Sequence, residues 1–147
     1  VFYLDVEVAP DITERLEDIV STLELGHINQ FRIIAMRSRH TTARAYARIW
    51  NLPDIWQKAL GVGAFYVIEV LSEHFDPLSH EEQTRVLIHE LMHIPKTFSG
   101  ALMPHHHIGG DIDRKTVDKV FKKYLDMKNK SLGIGVSNWR FKPGVRA

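Results

Sequence analysis

Between Val86 and Pro95 the chain carries one charged residue, Glu90, and it stands inside His89-Glu90-Leu91-Met92-His93. As a helix, this segment would show Leu87, Ile88, Leu91, Met92 and Ile94 over most of its remaining circumference, and a helix apolar nearly all round is a buried one. A carboxylate buried between imidazoles costs about several kcal/mol unless something satisfies it. The rest of the chain must therefore enclose this helix and supply Glu90 with a partner. Two histidines four apart share one helical face, so both rings can reach a single metal ion. Glu90 sits one step away, beside that face, where it can take a proton from a water at the metal's open position. The competing reading, a satisfied pair of core histidines, leaves Glu90 without compensation.

The helix boundaries are legible. Ser79 followed by Glu82 has the spacing of a capping box, with Pro77 just ahead. Pro95 lacks an N–H and crowds the carbonyl of Leu91, so the helix is expected to end at or just after His93.

With 147 residues and 44% hydrophobic composition, residues 1–130 are expected to form a single domain with a real core, followed by a basic, aromatic tail over 131–147. There are no cysteines, which excludes disulfides and thiolate metal sites and favours a reducing, cytoplasmic setting. The apolar, charge-free stretch from Ala59 to Ile68 is too short to span a bilayer, so no membrane role is expected. Charge is unevenly placed. Residues 113–147 carry ten Lys and Arg against three Asp, while residues 1–112 carry nine against fifteen acids. That asymmetry points to an anionic partner, such as nucleic acid, for the C-terminal region, or to an ordinary solvated lysine face.

Along the chain, Phe2 to Val8 reads as a strand or extended arm. Asp11 and Glu14 have capping-box spacing ahead of an apolar stripe of Ile12, Leu16, Ile19, Val20 and Leu23, with Gly26 expected just past the helix end. Phe31 to Met36 is a strand candidate, and the alternation from Ala43 to Trp50 suits an edge strand. A short helix follows Leu52-Pro53 and closes at Gly61. Ala64 to Leu71, rich in aromatic and β-branched residues, is the strongest strand. Asp113 to Lys128 reads as an amphipathic helix turning Val117, Val120, Phe121, Tyr124 and Leu125 inward. Trp139-Arg140-Phe141-Lys142 interleaves rings and cations, a pattern able to stack on bases, although such rings also pack tails down.

A hydrolytic zinc site needs three protein ligands and an open position. No glutamate follows Glu90, and Pro95 and Lys96 stand where a longer histidine motif would continue. The downstream candidates are His105, His106 and His107, or Asp111, Asp113 and Asp118. If the triplet is extended, His105 and His107 share one side and His106 takes the other.

The stretch from Leu87 to His105, with its Ile-Pro and Phe-Ser-Gly pieces, resembles the core of a metallopeptidase domain family found in phages and archaea. Tyr66-Val-Ile-Glu-Val70 and Leu52-Pro53-x-Ile55-Trp56 resemble its upstream elements, so the likeness covers roughly residues 10 to 130. A looser similarity links the chain to SprT-type proteases. The family resemblance implies an α+β, minimal zincin-like fold: a small twisted sheet packed on the motif helix, with supporting helices. It also implies one zinc ion held by His89, His93 and His105, Glu90 as general base, and a protein or peptide substrate. His107 and His106 are then candidates for substrate contact, and Asp111 for orienting a ligand ring. The alternative is a non-catalytic, nucleic-acid-associated adaptor whose zinc site is closed by a fourth ligand, with Asp111 the nearest donor.

Overall fold

The structure, a computed structural model, describes residues 5–133. The Trp139–Lys142 segment therefore lies outside the described residues. The fold is α+β. Strand β1 (Asp5–Val8) leads into helix α1 (Pro10–Thr22), and strands β2 (Ile33–Arg39) and β3 (Ala47–Asn51) follow. Helix α2 (Asp54–Leu60) connects to β4 (Tyr66–Leu71), and short α3 (Ser72–Phe75) precedes the motif helix α4 (His80–Met92). A hairpin of β5 (His106–His107) and β6 (Gly110–Asp111) stands before the last helix, α5 (Arg114–Ser131).

The main sheet runs β1-β2-β4-β3. β2 and β4 are parallel, and the two outer pairings are antiparallel. The chain thus lays down its edge strand β3 before inserting β4 between β3 and β2. The register sets Ile33 opposite Tyr66, and Ala35 opposite Ile68, which in turn faces Ile49. Ile33, Ala35, Tyr66, Ile68 and Val70 are buried, as are Ile12, Leu16, Ile19 and Val20 of α1 and Leu87, Ile88 and Leu91 of α4. α1 packs on β2, α4 on β3, and α5 covers both helices from outside. Leu87 and Ile88, at 0% and 1% exposure, each gain about 1.5–3 kcal/mol from burial. On the other face of β4, Glu69 is buried yet fully engaged: Arg48 donates two bonds of 3.1 Å and Trp50 Nε1 one of 2.8 Å.

Three local expectations are corrected. Asp11 does not cap α1. The helix starts with Pro10 in its first turn after Ala9, and Asp11 instead receives two 3.0 Å bonds from Arg37. A charged partner on β2 takes the carboxylate instead. The left-handed residue after α1 is Glu24 (φ 54), not Gly26. On α5, Val117, Phe121 and Tyr124 are buried and Val120 packs partly, but Leu125 remains 38% exposed because α1 and α4 cover only one side of that helix. The strand expected over Ala43–Trp50 forms as Ala47–Asn51, on the sheet edge, and Gly61 closes α2 in the left-handed conformation as its position implied.

Candidate metal centre

Ser79 Oγ accepts from Glu82 N–H at 3.2 Å and starts α4. Glu82 does not return the bond. Its carboxylate is held by Arg85 at 2.7 Å and Arg114 at 3.3 Å, tying α4 to α5. The helix stops at Met92, with His93 as its C-terminal cap ahead of Pro95. The helical rise thus sets His89 half-exposed and His93 almost buried on one face, with Glu90 buried one position further round.

The loop after Pro95 is fastened at three points. Phe98 adopts φ 49 and its ring meets Tyr66 edge-on at 5.2 Å. The Tyr66 hydroxyl, on a residue with no exposed surface, accepts from Gly100 N–H at 2.9 Å and donates to Ala101 O at 2.8 Å. Gly100 has φ +92, a backbone conformation that side chains rarely adopt, so glycine suits this turn. Finally, Met103 N–H donates to His93 O at 2.7 Å, while His93 Nδ1 donates to Met103 O at 2.5 Å. Two residues further on, this double tie delivers His105.

Three imidazoles converge as a result. His89 Nε2 lies 3.2 Å from His105 Nε2 and 3.3 Å from His93 Nε2. The three ligand atoms all lie within 4.8 Å of one another. Two N–Zn bonds of about 2.05 Å at a tetrahedral angle put their nitrogens about 3.3 Å apart. A carbonyl can only accept, so His93 carries its proton on Nδ1 and turns an unprotonated Nε2 toward the cluster. His89 Nε2 has at most one proton and cannot donate to both neighbours, so hydrogen bonding alone does not account for the gathering. Burial, together with His93 and His105, lowers the His89 pKa to about 4, and burial foremost lowers that of His93. Both rings are therefore neutral donors at neutral pH. Burial alone pushes the Glu90 carboxyl up to about 8. A dication nearby favours its ionised form, so the donor set and the acid fit a bound metal together.

Of the other residues singled out from sequence, His106 turns away. Its Nδ1 meets Asp111 at 3.1 Å across the β5–β6 pair. Asp111 is thus engaged by His106 and is not part of the three-histidine group. His107 donates from Nδ1 to Pro104 O at 3.1 Å and stands near enough to His93 to lower its pKa. Asp113 caps α5 in a capping box with Thr116, and Asp118 accepts from Arg85 at 2.9 Å. Tyr66 and Met103, which hold the loop, went unread because nothing in the sequence marks a strand tyrosine or a loop carbonyl as a fastening point.

Fold and centre together define a small α+β protein with three histidines able to hold a metal ion. A family model described as putative phage metallopeptidase matches residues 4–128, and the chain belongs to that family. The looser likeness to SprT-type proteases is not shown. No curated protein and no solved structure matches the chain.

Proposed function

We propose that this chain is a zinc-dependent peptidase in which His89, His93 and His105 are the metal ligands and Glu90 is the general base. The observation that carries this reading is the meeting of three Nε2 atoms at 3.2 and 3.3 Å beside a buried glutamate. Zinc bound there would lower the pKa of a water toward about 7 and polarise a substrate carbonyl. Glu90 takes the proton of the attacking water and passes it to the leaving amine. Met103 O holds His93 in the tautomer that offers Nε2. A peptide can lie extended along β3, which among the described residues pairs only with β4 and packs against α4.

The adaptor reading needs a closed site. Among the described residues the ligand group comprises the three histidines alone, and Asp111 is bound to His106. That supports an open coordination position and hence catalysis. The test is metal analysis with cleavage of casein by the wild type and Glu90→Gln. Glutamine keeps the shape but cannot take the proton, so zinc should stay while hydrolysis disappears. Equal hydrolysis by the two proteins would remove Glu90 from the reaction, and a wild type that binds zinc without cleaving would favour the adaptor.

A further inference from the structure

Beside the His93 edge of the centre, α1, α4, α5 and the hairpin enclose a groove of about 780 Å³. Its floor is Leu91 and Ile88, and Leu25, Met92, Met103 and Val120 are among the partly buried side chains that line it. The volume falls within the range of about 300–1,000 Å³ typical of sites that hold ligands, well beyond what one side chain fills. Methionines at 92 and 103 give the walls an adaptable surface.

Two observations identify an occupant. The groove approaches the metal centre at two lining residues: the carbonyl of Met103 holds the His93 ring, and His107 bonds to Pro104 O, next to His105. The free charge on the rim is positive. Lys96 and Lys119 are both exposed, and the lysine ion pairs among the described residues are those of Lys58 and Lys128. Among the described residues the rim carries one carboxylate, Asp111, and His106 already engages it.

We propose that this groove binds the substrate peptide on one side of the scissile bond, taking adjacent apolar side chains inside and acidic residues against Lys96 and Lys119. The inference rests on the peptidase reading for its substrate, and assigns that substrate a class: apolar residues flanked by acidic ones. Burying apolar side chains supplies affinity, and the lysines select by charge at the rim.

The test uses the full chain incubated with zinc and a short fluorescent peptide carrying paired leucines flanked by paired aspartates, with its asparagine counterpart as control. Binding is read by anisotropy in the Glu90→Gln background, and cleavage in the wild type. Lys96→Glu/Lys119→Glu should weaken the aspartate peptide about tenfold, leave the asparagine peptide within about twofold, and abolish the salt dependence. Val120→Trp, which fills the groove, should weaken both peptides at least about tenfold while zinc content is unchanged.

Unchanged binding in both variants, or no binding of either peptide to the parent protein, would overturn the proposal. A concentration-dependent dimer that dissolves in Val120→Trp, without peptide binding, would overturn it in favour of a second copy as occupant. The two readings separate cleanly. Groove-dependent binding without wild-type cleavage keeps the groove and refutes the peptidase, whereas cleavage indifferent to both variants does the reverse.

Discussion

Replacing Tyr66 by Phe removes one oxygen from a fully enclosed ring and tests whether the loop carrying His105 is held from the sheet. The hydroxyl bridges Gly100 N–H at 2.9 Å and Ala101 O at 2.8 Å. Gly100 is buried, so its N–H loses its partner where water cannot replace it, at a cost of about 1–3 kcal/mol. Ala101 is exposed and can turn its carbonyl to water, so the second bond contributes only about 1 kcal/mol. The sum is about 2–4 kcal/mol. For a chain of this length about 2–4 °C is lost per kcal/mol, which gives a fall in Tm of about 4–16 °C. Thermal unfolding followed by circular dichroism, with chelator and with zinc, measures it. Zinc affinity, by competition with a chromogenic chelator, should fall as well, because the same loop carries Met103 and His105. A Tm within about 2 °C of wild type together with unchanged zinc affinity would refute the clamp.

In the same competition assay His89→Ala, His93→Ala and His105→Ala should each weaken zinc far more than His106→Ala or His107→Ala; a larger loss at His107 would reassign the third ligand. Asp18 is held below its ordinary pKa: burial raises it, but bonds from Lys128 and Tyr124 outweigh that. Its folded-state pKa is depressed, so its contribution to stability is complete above the unfolded value near 3.8 and drains away as pH falls through the lowered one. Asp18→Asn should lower Tm at neutral pH and shrink the loss below about pH 4, and an unaltered acid limb would contradict this. On α5, Lys115, Lys119, Lys122, Lys123 and Lys130 form no ion pair among the described residues and share one face. If that face binds nucleic acid, filter binding should weaken steeply with salt and weaken further on truncation after Lys130; no binding at low salt would leave it a solvated face.

The motif helix was legible because every local rule agreed: Ser79 at the start, Pro95 at the end, and one carboxylate in an apolar surround. The central strand β4 was legible through its β-branched run. His105 entered through the family resemblance, since the residues alone left His107 and three aspartates open. The β5–β6 hairpin escaped because strands of two residues carry no periodicity. The start of α1 was misread because Asp11 has two possible partners, and only the fold brings Arg37 within reach. The groove could not be seen at all, since its walls come from helices far apart in the chain.

All three histidines able to hold a metal ion lie within the seventeen residues from His89 to His105. A cation held there would close only the loop between His93 and His105, and cross-links that close short loops restrict the unfolded chain least. The sheet, α1 and the α4–α5 packing do not depend on that closure, so the centre is a local folding unit mounted on an independent scaffold. Hydrogen exchange should then report metal removal as lost protection at Met103 and Ile112, whose amides bond to His93 and His105, with β2 and β4 unchanged. A cation held in a centre built this way is expected to load and empty by local opening, without unfolding the protein around it.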